Sequence, residues 1–290
     1  VGKVYTTDKY IVTSTIDGKL TITSITEKIV VTIQGNCESA VYDGKEHTAL
    51  GYEITDVTSS IYSARDFTFS GIAEAKRTDV GSTYMELTDE QFTNINKNFT
   101  NVEFVVYNGY MEITPVRTEI TITANSATKV YDGTPLTDNG FTYTPNVLVK
   151  GDVLVAEVDG HITDAGWTGN MVTSYKVMRG TTDVTDNYTF DSCVNGKLEV
   201  TKRPVTLTSA SDTKVYDGQV LANDTVTVSG DGFVAGDGAT YDVTGSQLNA
   251  GSSDNTFGYT LNAGTKASHY DIPKVKGTLP VTPITEQVFV

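Results

Sequence analysis

Apolar and polar residues alternate in short runs along most of this chain. Ile120-Thr121-Ile122-Thr123, Val205-Thr206-Leu207-Thr208 and Leu198-Glu199-Val200-Thr201 each send every second side chain to one face, the period of a half-buried strand. Only twelve leucines occur, while Val, Ile, Thr and Tyr dominate, a bias that suits pleated sheet over helix. One stretch departs from the pattern. Thr88 and Gln91 stand at capping-box spacing before Phe92, which predicts one or two helical turns within a loop at Thr88–Asn96.

The alternating runs recur with a long period. Tyr-Asp-Gly is written three times, at Tyr42-Asp43-Gly44, Tyr131-Asp132-Gly133 and Tyr216-Asp217-Gly218, with the tyrosines 89 and 85 residues apart. A module of domain size is therefore repeated in tandem. A second marker, Gly-x-[Leu/Met]-x-[Ile/Val]-Thr, ends at Thr23, Thr114, Thr201 and Thr282, and a third opens at Asp79, Asp164 and Asn249, each two residues before a glycine. From the Tyr-Asp-Gly glycine to the third marker's glycine is 37 residues in the first copy and 33 in the other two, so the first copy carries a surface-loop insertion. These markers predict repeat modules at 25–115, 116–202 and 203–283. Residues 1–24 read as the closing hairpin of a preceding repeat, and 284–290 as the start of a following repeat or linker, so the chain reads as a window of a longer array. Junctions of about two residues, each with a proline, predict a semi-rigid rod.

Modules of roughly 80–90 residues hold one small core each. The expected fold is all-β, a tandem array of antiparallel Ig-like β-sandwich modules. β-Grasp-like modules with a short helix are the alternative. In either fold Asp-Gly after Val-Tyr suits a tight turn, because glycine takes positive φ without strain and aspartate bonds its own backbone. The tyrosine ring is expected in the core of its own module, and the competing reading is an exposed aromatic contact repeated in every copy. Pro280 falls at a polar position of a closing strand, which predicts an edge strand or an unpaired backbone position there.

Charge and rare residues narrow the chemistry. A formal charge of −15 and a pI near 4.5 exclude binding to nucleic acid by phosphate neutralisation, and no run of 18 apolar residues offers membrane insertion of this segment. An acidic, Thr-rich surface favours a soluble monomer. Cys37 and Cys193 lie in different modules, too far apart in a linear array for a bridge, and read as free thiols. His47, His161 and His269 occupy non-equivalent positions without a second ligand at metal spacing. No phosphate loop, dinucleotide fingerprint or Gly-x-Ser-x-Gly occurs, so a catalytic site is not expected. Ser229-Gly230-Asp231-Gly232 and Gly236-Asp237-Gly238 could offer oxygens to Ca²⁺, but neither follows a calcium-loop pattern, and solvated turns are the favoured reading.

Val-Tyr-Asp-Gly, the central Asx-Ala-Gly, Asn187-Tyr188 ahead of Gly196-Lys197-Leu198, and the closing Ile/Val-Thr-Pro together resemble the Tyr-Asp-Gly and MBG-type repeats of large bacterial surface proteins. Asp66 to Gly71 and Asn98 to Val102 in the first module are similar to repeats of Gram-positive gut bacteria. The resemblance covers nearly the whole chain and implies an extracellular, adhesin-like array at the bacterial cell surface. It implies no particular ligand. Two functions follow as expectations. One is a stalk whose partners are its own neighbouring repeats. The other is a binding module for a host extracellular protein, with immunoglobulin a candidate, or for a mucin glycan. Binding residues are sought where copies differ: Trp167, the sole tryptophan, replaces Ser82 and Ser252 of the other modules, and Arg179 sits in a loop unique to the second. Trp and Arg are the types most enriched at interface hot spots.

Overall fold

A computed structural model describes Ser14 and residues 16–285. The chain divides after Pro115 into two compact units, the first holding module 1 and the second holding modules 2 and 3. Strands account for nearly all regular structure, so the all-β expectation holds. Among the described residues helix is limited to three single 3₁₀ turns, Asp89–Gln91, Thr185–Asn187 and Ala267–His269. Among the described residues no helix packs on a sheet as a β-grasp requires, and none is long and apolar enough to cross a membrane. The predicted helical stretch in module 1 is one turn, where the Thr88 N–H donates to Gln91 Oε1 at 3.1 Å. It then gives way to the strand Phe92–Asn94, paired with Phe67–Phe69.

Each module is framed by two kinked strands. In module 1 the opening strand Ile29–Gly35 is followed after a single residue by the second strand, Cys37–Val41. Near the end, the penultimate strand Val102–Tyr107 is followed by the closing strand Tyr110–Thr114. One residue separates the first pair and two the second, and in neither does the chain reverse: the two strands of each pair belong to different sheets, so each pair continues forward and passes from one sheet into the other. The opening strand then pairs in parallel with the penultimate, and the second strand pairs in parallel with the closing strand. Antiparallel neighbours complete the sheets, Tyr52–Val57 on the first and Gly81–Tyr84 on the second. The sheets are thus mixed, where purely antiparallel ones were expected, because a strand that switches sheets keeps its direction in both.

Modules 2 and 3 repeat this frame. In module 2 the opening strand Val116–Ala124 runs parallel to the penultimate Tyr188–Val194, and the second strand Ala127–Val130 runs parallel to the closing Gly196–Thr201. In module 3 the opening strand Arg203–Ser209 runs parallel to two short pieces, Tyr270–Asp271 and Lys274–Val275, while Lys214–Val215 runs parallel to the closing Gly277–Thr282. The segment leading into the closing glycine is therefore a kinked strand and not a hairpin. The region proposed as the hairpin of a preceding repeat lies largely outside the described residues, and the Gly18–Thr23 portion is exposed without strand pairing. Pro280 lies on a central strand, between Lys214–Val215 and Gly251–Asn255. The short parallel ladder beside it starts only at Val281, in keeping with proline's missing donor.

The closing glycine sits where the two kinks cross. A Cβ on Gly196 would stand 1.9 Å from the Asn125 carbonyl oxygen, one on Gly277 2.3 Å from that of Ala210, and one on Gly109 2.5 Å from that of Asn36. Backbone on backbone leaves no room for a side chain. Beside two of these crossings lies a buried asparagine that the sequence did not flag. Asn170 donates to the carbonyls of Asn125 and Asp138, and Asn255 to those of Ala210 and Asn223, all at 2.8–2.9 Å. The alternating residues fill the interior as predicted: Ile120, Ile122, Val205, Leu207, Leu198 and Val200 are all buried.

Candidate functional site

The three Tyr-Asp-Gly turns share one geometry. Gly44, Gly133 and Gly218 have φ of 76°, 78° and 75°, the left-handed region that glycine enters without cost. The preceding aspartate accepts from the backbone N–H two residues on, at 2.9 Å in every copy. The tyrosine N–H donates to the threonine that ends the closing strand, Tyr42 to Thr114 O at 2.8 Å and Tyr131 to Thr201 O and Tyr216 to Thr282 O at 2.9 Å. Each of those threonine hydroxyls donates back to the second strand, to the carbonyls of Ala40, Lys129 and Lys214. The repeated threonine thus fastens the end of its module twice over.

A cation closes the turn. In module 2 Lys129 Nζ donates to Asp132 Oδ1 at 2.7 Å and to Thr134 O at 2.6 Å; in module 3 Lys214 Nζ donates to Asp217 Oδ1 at 2.7 Å and to Gln219 O at 2.5 Å. These ammonium groups hold the Asp132 and Asp217 carboxyls below the ordinary carboxylate range. Module 1 has Ala40 at the lysine position, and His47 Nε2 meets Asp43 Oδ1 at 2.9 Å instead. The lysine three residues before each aspartate was visible in the shared Thr-Lys-Val-Tyr-Asp-Gly and could have been assigned this role.

The tyrosine rings differ in surroundings. Tyr131 is buried not in its own module alone but in the cluster of module 3, with Val205, Leu207, Phe257 and Tyr270, and with Val200 of its own closing strand. Its ring centroid lies 4.1 Å from that of His269 and 5.7 Å from that of Tyr270. Arg203, first residue of module 3, donates to the carbonyls of Tyr131, Gly232 and Asp231. Lys266 Nζ reaches Asp164 Oδ2 at 2.8 Å. His269 is buried, and its Nε2 lies 3.3 Å from Asp164 Oδ1 without hydrogen-bond alignment. Burial and then the bond to Asp237 push the Tyr270 hydroxyl up to about 12. Tyr42 is also buried, whereas Tyr216 is 38 % exposed.

The residues singled out for difference do not converge. Trp167 and Arg179 lie near opposite ends of the single strand Gly166–Arg179, up to about 40 Å apart along an extended chain. Arg179 is committed inside its module: its Nε donates to Asp152 Oδ1 at 2.6 Å, and the other oxygen of that buried carboxylate accepts from the Tyr188 hydroxyl at 2.6 Å. Trp167 is 69 % exposed, opposite Glu199. The loops weighed for Ca²⁺ are otherwise occupied. Asp237 accepts from the Tyr270 hydroxyl, and the Asp231 and Gly232 carbonyls hold Arg203. Among the described residues no group of three His, Cys, Asp or Glu side chains could hold a metal. Cys37 and Cys193 are free and exposed.

Against this geometry the family comparisons are informative. Residues 28–115 match the MBG domain, and residues 120–199 match the MBG domain of YGX type. The chain carries MBG-type repeat domains in tandem. Module 3 lies beyond both matched stretches, yet its kinked strands, turn and closing glycine repeat those of the two MBG domains. No curated protein matched the chain. The MBG domains mark a surface-type repeat module.

Proposed function

We propose that this MBG array is a non-enzymatic, semi-rigid stalk of an extracellular protein at a bacterial cell surface, working as a monomer whose chief partners are its own repeats. The observation that carries this reading is the joint between modules 2 and 3. The closing strand ends at Thr201 and the next opening strand begins at Arg203, so one residue links them. The repeat tyrosine of one module completes the core of the next. A joint with a shared core resists bending more than a flexible linker does. Small-angle scattering on the whole chain tests it. A maximum dimension that stays fixed across salt concentrations and shortens in Tyr131→Ala supports the stalk; a broad, salt-dependent distribution in the parent would refute it.

A second reading rests on Trp167. An indole left mostly in solvent on a sheet face, at a position where Ser82 and Ser252 stand in the sister modules, has no packing role to explain it. This reading makes module 2 a contact for a host protein, immunoglobulin being one candidate, or for a mucin glycan. The immobilised chain should then retain serum immunoglobulin or mucin and lose that retention in Trp167→Ala. Equal retention by both proteins would remove Trp167 from the account.

A further inference from the structure

We propose that each module is a tension-bearing link, in which force along the chain loads both parallel strand pairs in shear at once. The backbone joins module 2 to module 1 through Val116 and to module 3 through Thr201, so once the side-chain contacts of Tyr131 and Asp164 with module 3 have parted, a pull on the array enters and leaves it at those points. The opening strand is drawn back along its own axis and the closing strand forward along its own. The opening strand is held by the parallel penultimate strand, and the closing strand by the parallel second strand.

Because opening and second strands form one kinked unit, and penultimate and closing strands the other, the pull tries to slide one unit along the other. The ladder bonds of both parallel pairs then resist together. In an antiparallel hairpin pulled from its two adjacent ends the same bonds would break singly, in succession. At Gly196 and Asn125 O the two units press backbone against backbone, and the far end is fastened by the Tyr131 N–H to Thr201 O bond and the Thr201 hydroxyl to Lys129 O bond.

The three modules are not equally clamped. Module 1 pairs six positions between opening and penultimate strands and five between second and closing strands. Module 2 pairs five and four. Module 3 has only two-position ladders, with its opening strand split between two short partners. Under steady pulling module 3 should yield first and module 1 last.

Single-molecule stretching of the whole chain tests this, with Cys37→Ser and Cys193→Ser freeing cysteine for attachment. Ser126→Cys and Asn195→Cys place handles at the same end of the second and closing strands of module 2, where a pull peels them. Terminal handles on that same protein load them in shear, so its equilibrium stability is common to both measurements. The expected unfolding force is at least about twofold higher in shear than in peeling, since forced unfolding follows the barrier along the pulled coordinate. Ser211→Cys with Lys276→Cys, the equivalent positions, repeats the comparison in module 3, with a smaller ratio expected. Equal forces in the two geometries, or module 3 yielding last, would overturn the proposal. The biological use of such a link rests on the stalk reading, but the tests separate: a weak clamp would leave the scattering dimensions unchanged, and a flexible array could still contain strong links.

Discussion

Tyr131 and Tyr216 stand in the same six-residue motif and differ in what covers them. The glycine φ values agree within a few degrees, 78° and 75°, and the tyrosine N–H to threonine bond is 2.9 Å in both. The lysine to aspartate bond is 2.7 Å in both. Yet Tyr131 is 8 % exposed and Tyr216 is 38 % exposed. The turn is built by its own module, and ring burial is supplied by the module packed against it. One motif therefore serves two levels of structure, and substitutions should separate them.

The largest losses should ignore the difference between the two sites. Gly196→Ala and Gly277→Ala each force a methyl into a backbone carbonyl at the kink crossing, and each should cost about 3 kcal/mol or more in urea unfolding. Were one tolerated and the other not, the two frames would not be equivalent. The tyrosines themselves should split. Tyr131→Ala removes a buried aromatic from the shared cluster and should cost about 2–4 kcal/mol, whereas Tyr216→Ala should cost no more than about 1 kcal/mol. Equal losses would place the ring's role inside its own module after all.

That division also marks how far the sequence could be read. Ile120, Ile122, Val205 and Leu207 were legible as inward positions because alternation is a local signal of period two. The turn at Asp132-Gly133 was legible for the same reason. Parallel pairing was not. Thr128 and Glu199 face each other across 71 residues, and nothing in either segment encodes that register alone. The tyrosine's destination depends on Val205, Leu207 and Tyr270 of the following module, so a comparison of copies reveals that it recurs but not whose core it enters. Arg179 was picked out for its type and difference, and its partner Asp152, 27 residues earlier, turned it from an exposed candidate into an internal ion pair. Trp167, picked out on the same grounds, is exposed.

The smallest expected effect concerns the charge at the joint. Asp164, which faces Lys266 and His269 of module 3, has Asn249 as its counterpart beside Tyr216. The bond from Lys266 holds the Asp164 carboxyl below its ordinary value, and an unfolded aspartate titrates near about 3.9. A carboxyl depressed on folding contributes its full stability above the unfolded value and loses it as pH falls through the folded value. Asp164→Asn should therefore lower the unfolding midpoint slightly at neutral pH, and the gap from the parent should close as the solution is acidified below pH about 4. Asp132 and Asp217 are depressed as well, but they are unchanged between parent and variant and drop out of the difference. Lys266 and Asp164 are both more than half exposed, so salt should shrink the gap further. Asn249→Asp places the same carboxylate beside the exposed Tyr216 and should give no gain at neutral pH. A gain equal to the loss at Asp164 would mean that the acid acts within its own module and owes nothing to the joint.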